Sequence, residues 1–349
     1  MIRGLILLAA AAVVAQPRQP DFSQLTSERQ LADVYRAIFD ARFTEVPSLL
    51  ERTCPPAPPE ACQLLDAVNV WWQIQLDPGS VAHDPQFQSK VDATIASTEA
   101  WAAREPQHAE AWFYVGGAYG ARAQWKVLRT ERLSAARDGK RIKEALEKSL
   151  ALDPRLQEAY FGIGLYHYYA GVAPLAAKML RWLLMLPGGD KTQGMAEMLR
   201  ARENGELLRD EADYQLHIID LWYENKPQQA LDLLTGLHDR HPRNPLFLQL
   251  IAQVQDVYFH DHTASLGTWR SLFDEAGSRR VAMTDLAEIR ARLGIAQELE
   301  HLDDAAGALE QLRAVIAAKP LAPFGSYAEA QRRVSRLEAR QRSRARDAR

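Results

Sequence analysis

Apolar residues recur at three- and four-residue intervals along almost the whole chain after Asp21, and short turns at Asp-Pro, Gly-Gly or Asn-x-Pro break the runs. Leu31, Val34, Ile38 and Ala41 open the pattern, and Ala308, Leu309, Leu312 and Ile316 continue it near the other end. Such spacing sets one apolar stripe along a helix, whereas a half-buried strand alternates at every second residue, and no convincing alternation occurs. The expectation is an all-α fold. In "LEKSLALDPRLQEAYFGIGLYHYYAG", residues 146–171, one apolar helix stops at Asp153-Pro154 and a second begins that is rich in tyrosine.

The helices repeat an internal spacing. Trp112, Val115-Gly116 and Tyr119 recur as Tyr160, Ile163-Gly164 and His167. Leu146, Leu234 and Leu312 each stand eight residues before a proline, at Pro154, Pro242 and Pro320, and Ala230 and Ala308 precede the last two leucines by four. These positions resemble the tetratricopeptide-repeat (TPR) family. The resemblance implies a right-handed α-solenoid of antiparallel helix pairs over residues 109–321, with good units at 109–156, 156–188, 211–244 and 289–321. In such a unit small residues let the two helices approach, and the Trp/Tyr and Leu positions fill the seam.

The array is irregular. Trp112 to Pro154 is longer than a standard unit, so "ARAQWKVLRTERLSAARDGKR" extends both helices or forms an insertion, and the 55 residues from Pro187 to Pro242 require an additional helix, placed at Thr192–Leu208. Residues 22–106 match the spacing loosely and are expected to form degenerate repeats or a helical cap. The segment "LPGGDKTQGMAEML" is similar to part of a TPR-containing family linked to mitochondrial lipid-inclusion clearance. Read physically, Gly188 and Gly189 supply the positive φ that ends one helix, and Asp190 or Thr192 caps the next.

Composition changes the picture in two places. Arg3 followed by "GLILLAAAAVV" and Val13-Val14-Ala15 reads as a signal peptide over residues 1–15, cut before Gln16 and too short to span a bilayer, so a soluble, exported protein, periplasmic or secreted, is expected with no later transmembrane segment. Cys54 and Cys62, the only cysteines, flank "PPAPPEA"; in an oxidising compartment this spacing favours a disulfide over a redox or metal pair. Net charge of -3 gives no global field for nucleic acid. Residues 326–349 carry eight arginines and are expected to form a polar capping helix and tail, with an anionic surface as the rival reading.

No chemistry-bearing constellation emerges. HExxH, GxSxG, Walker and dinucleotide motifs are absent. His260 and His262 would point about 200° apart on a helix, and His238 and His241 share a face near a helix C-terminus; metal binding by either pair is the minor reading. Glu203, Glu206, Asp210, Glu211 and Asp213, interleaved with Arg200, Arg202 and Arg209, read as a solvated, ion-paired face. No catalytic residue, cofactor or metal is assigned.

Repeat register instead places Phe161, Leu165 and Tyr168, with Tyr169 adjacent, and Gln215, Ile219 and Trp222, with Tyr223 adjacent, on the inner face. The rival reading is that the additional helix covers these rings as core. The functional expectation is an exported, non-catalytic scaffold that takes a protein or peptide in a helical groove. The alternative is a periplasmic component that encloses a small apolar or lipidic ligand.

Overall fold

A computed structural model describes residues 25–173 and 188–347. The expected signal peptide lies outside them. The described residues form fifteen helices and no strand: α1 (Glu28–Phe39), α2 (Val46–Thr53), α3 (Pro59–Leu76), α4 (Asp84–Arg104), α5 (Ala109–Leu128), α6 (Arg132–Leu152), α7 (Gln157–Val172), α8 (Lys191–Asn204), α9 (Arg209–Trp222), α10 (Pro227–Arg240), α11 (Pro245–Val257), α12 (His262–Gly277), α13 (Thr284–His301), α14 (Ala305–Ala318) and α15 (Ser326–Asp347).

Helix starts follow from local chemistry. Asp190, Asn244, Asp261 and Asp304 each accept a backbone N–H of the first turn, and α2, α3, α4, α10 and α11 carry a proline at their first or second position, whose missing N–H would have no partner there. The Cys54–Cys62 disulfide forms and ties the end of α2 to the first turn of α3. The long first unit is accommodated by extending both helices, α5 to 20 residues and α6 to 21.

Successive helices pack along the chain as the antiparallel pairs of a TPR-like α-solenoid. The Gly116–Leu146 seam is the one the spacing predicts, whereas the second half of the expected unit at 156–188 lies outside the described residues. A Cβ on Gly116 would lie 2.6 Å from the Leu146 side chain, and one on Gly194 would lie 2.4 Å from the Tyr168 backbone nitrogen, so α5 with α6 and α7 with α8 approach as closely as glycine permits. The additional helix is α8, four residues shorter at its C-terminus than expected.

Odd-numbered helices also touch one another: α1 with α3, α3 with α5, α5 with α7, α11 with α13 and α13 with α15. No pair of even-numbered helices makes comparable contact among the described residues. The array therefore curves with its odd helices inside, and the curvature brings α1 and α3 against α9 and α11 across the axis. Trp72 on α3 meets Phe39 on α1 at 4.3 Å between centroids, Tyr214 on α9 at 5.0 Å and Phe247 on α11 at 6.5 Å. Tyr35 donates to Glu211 at 2.9 Å, and Asn244 Nδ2 donates to the Phe39 carbonyl at 2.7 Å. These rings belong to one hydrophobic cluster that runs from Leu25 to Val254. The concave face is filled by the protein itself.

At the far end, the Phe324 N–H donates to Asp77 in the turn after α3. Helix α15 closes the array, with Arg333 paired to Glu300 and Glu329, Arg336 to Glu300, and Arg313 on α14 to Glu338.

Two expectations need correction. Glu211 and Asp213 are buried at 4% and 3% exposure, not on a solvated face: Tyr35 and Gln215 reach Glu211, while Arg202 and Arg240 enclose Asp213. Gly189 has no positive φ. It is needed for close approach, since a Cβ there would lie 2.3 Å from the His167 carbonyl oxygen.

Candidate functional site

Helices α7, α8 and α9 place the residues assigned to the inner groove. Phe161, Tyr168 and Ile219 are buried, packed with Met198, Ala201, Ala212 and Leu216, and Leu165 packs at the edge of the same clusters. They do not line an open groove. Helix α8 lies over them, and the Gly164 and Gly194 pair brings its backbone too close for anything to pass between. At the C-terminal end of α7, Tyr168, Tyr169 and Tyr223 make mutual edge contacts at 5.6–6.0 Å. Tyr168 donates its hydroxyl to Glu224, which also pairs with Lys191 at 2.9 Å; burial, then Glu224, hold this phenol above its ordinary pKa. Only Trp222, 71% exposed, and Tyr223, 45% exposed, present substantial surface.

An open site lies on the other side of the solenoid. Helices α4 and α6 flank α5 without closing over it, leaving a cleft of about 620 Å³. Trp112 is the partly exposed ring on its floor, over buried Ala102, Val115 and Ala145, and its rim is Glu99, Arg141, Glu144 and Lys148. Trp112 donates its indole N–H to the Pro106 carbonyl at 3.0 Å, and Tyr119 donates its hydroxyl to Glu99 at 2.8 Å. A second recess of about 400 Å³ continues past Tyr119 and Arg141 to Arg122, Arg137, Asp138 and Lys140.

The second recess is basic. Asp138 is buried and already accepts from Arg122, at 3.0 and 2.8 Å, and from Lys126 at 2.7 Å. Its hydrogen bonds hold the Arg122 guanidinium protonated above the ordinary arginine range. Arg141 lies within 3.8 Å of both Glu99 and Glu144, contacts exposed enough to be exchanged for a ligand carboxylate at little cost. Sequence reasoning used Trp112, Val115 and Tyr119 as seam positions and missed that one side of the seam stays open. The available signal was the excess length of this unit.

Solved structures similar to the chain include the APC/C hetero-tetramer Cut9-Hcn1, at TM-score 0.39 and 12% identity over 80% of this chain and 50% of that one, and yeast Tom70, at TM-score 0.31 and 15% identity over 82% and 65%. The chain thus spans half to about two thirds of each. No protein-family model matches the chain, and no curated protein matches it by sequence.

The charged clusters elsewhere hold the array together. Glu158 is fully buried and accepts three successive backbone N–H groups, from Glu206, Leu207 and Leu208, at 2.6–3.0 Å ahead of α9. His241 is buried against Phe39 and bonds Asp210 at 2.8 Å. His260 and His262 part company: His260 lies exposed in the turn after α11 with φ 52°, while His262 starts α12 among other polar groups.

Proposed function

We propose that the chain is an exported, non-catalytic repeat protein that binds a segment of another polypeptide in the cleft between α4, α5 and α6. One observation carries the reading: the concave face is filled by Phe39, Trp72, Tyr214 and Phe247, while the cleft leaves Trp112 partly exposed between charged rims. The two recesses together carry Arg122, Arg137, Lys140, Arg141 and Lys148 against Glu99, Asp138 and Glu144, five cations to three anions. The complementary ligand is an extended segment with an apolar side chain for the Trp112 floor and acidic side chains beyond it. Export rests on the N-terminal sequence together with the Cys54–Cys62 disulfide, a bond that persists in oxidising compartments.

Selection of a random peptide library on the oxidised protein tests the proposal. Enriched peptides should combine an aliphatic or aromatic residue with acidic residues, and Arg141→Glu should weaken them at least about tenfold, the order expected for loss of a paired rim charge together with a new repulsion. Peptides that bind Arg141→Glu and the parent equally would overturn the cleft assignment. A small apolar molecule retained in a native mass spectrum would favour the alternative of an enclosed ligand.

A further inference from the structure

Three helices bring three metal-ligating side chains together away from the cleft, with the carboxylate of Glu298 beside one of them. Asp256 stands in the last turn of α11, His262 opens α12, and Glu298 and His301 stand three residues apart on the last turn of α13. Asp261 makes the arrangement compact by accepting the Ala264 N–H, which starts α12 directly after the turn at His260. One donor atom from each of Asp256, His262 and His301 lies within 4.8 Å of the others, and the two imidazoles are parallel at 4.3 Å between centroids.

His262 Nδ1 lies 3.1 Å from Asp256 Oδ1 and 3.1 Å from Glu298 Oε2. An imidazole nitrogen carries a single hydrogen, so one proton does not satisfy two carboxylates that converge on it. Glu298 is fully buried, and its Oε1 and the buried Ser265 hydroxyl beside it form no hydrogen bond of good geometry. Gln297 meanwhile donates to Asp256 Oδ2 at 2.8 Å, which orients that carboxylate and leaves Oδ1 toward the histidine, as outer partners do around metal ligands. His301 is exposed and His262 partly so, which opens a path from solvent.

We propose that Asp256, His262 and His301 bind a divalent transition-metal ion, with Zn2+ the best fit to two imidazoles and a carboxylate and with Glu298 as the outer partner of His262. A tetrahedral ion uses this donor set without a preferred ligand field, and its double charge offsets two buried carboxylates that a single proton leaves uncompensated. The metal clamps α11, α12 and α13 at one end of the array. His260, two residues away in sequence, takes no part.

Calorimetric titration of Zn2+ into the full, tag-free chain after dialysis against chelator tests the site, with Co2+ absorption reporting coordination geometry. The parent should bind one equivalent, give the intense visible bands of tetrahedral cobalt and melt higher with metal. His301→Ala, an exposed change, should weaken binding about tenfold or more, and Glu298→Gln should do likewise, while His260→Ala binds as the parent does. Absence of stoichiometric binding by the folded parent would overturn the site, as would equal binding by His301→Ala and Glu298→Gln. Loss confined to His260→Ala would overturn it too, by moving the ion elsewhere.

Discussion

Two tryptophans in neighbouring odd helices have opposite fates. Trp72 on α3 is fully buried among Phe39, Tyr214 and Phe247, whereas Trp112 on α5 forms the floor of an open cleft. Both stand at helical spacing among apolar neighbours. What separates them is curvature: odd helices converge on the axis and press their aromatic rings together, while even helices splay and leave gaps between their outer flanks. In a strongly curved solenoid the concave face becomes core, and the open cleft lies outside it.

Trp72→Ala breaks the comparison most directly. Removing a fully buried indole with three ring partners should cost about 3–5 kcal/mol, read from denaturant unfolding. A loss under about 1 kcal/mol, typical of a site that is not core, would show that the interior is not packed as described. Gly194→Ala should cost less, about 1–3 kcal/mol, because the new methyl meets the Tyr168 backbone, which can move only if α7 and α8 separate. Tyr168 and Ile219 should then become accessible to solvent, seen as quicker amide exchange in α7.

Much of this fold is legible in the sequence because seams are local. Gly116 and Leu146, or the start of α8 after Asp190, follow from spacing and capping within one unit. The burial of the expected groove residues was not legible for the opposite reason. Phe161, Tyr168 and Ile219 look the same in sequence whether they face a groove or a covering helix, and only the approach of Gly164 to Gly194 decides. Contacts such as Trp72 with Phe247, or Asp256 with His301, join residues whose proximity depends on the sum of many inter-helix angles. No repeat spacing encodes that sum, so neither the filled interior nor the histidine cluster was visible in the chain.

A smaller effect sharpens the same contrast through pH. In the first turns of α1, α5 and α7, burial and then the Glu158 carboxylate push Glu28 up to about 8 from an ordinary 4.5, with Glu206 and Glu110 adding to the shift. The folded chain keeps a proton that the unfolded chain has released, so stability falls as pH rises from about 4.5 to about 8. His217 acts oppositely: burial pulls it down to about 4 from 6.5, so its contribution is lost as pH falls through that range. Between 6.5 and 8 the Glu28 effect therefore stands without the His217 one. The melting temperature should fall across that window in the parent and stay flatter in Glu28→Gln; equal slopes would remove Glu28 from the account.

The smallest expected effect on stability falls on the cleft. Ala103 is exposed on the α4 wall, beside the apolar floor and near Glu99. Ala103→Glu adds a charge where no ring packs, so unfolding free energy should stay within about 0.5 kcal/mol of the parent. Selected acidic peptides should nevertheless bind it more weakly, since the new carboxylate faces their own charge and narrows access to Trp112. The inner face thus fails by unfolding and the outer face by losing its ligand. If Ala103→Glu instead unfolds as readily as Trp72→Ala, the cleft is a loosely packed part of the core, and the distinction between the two faces collapses.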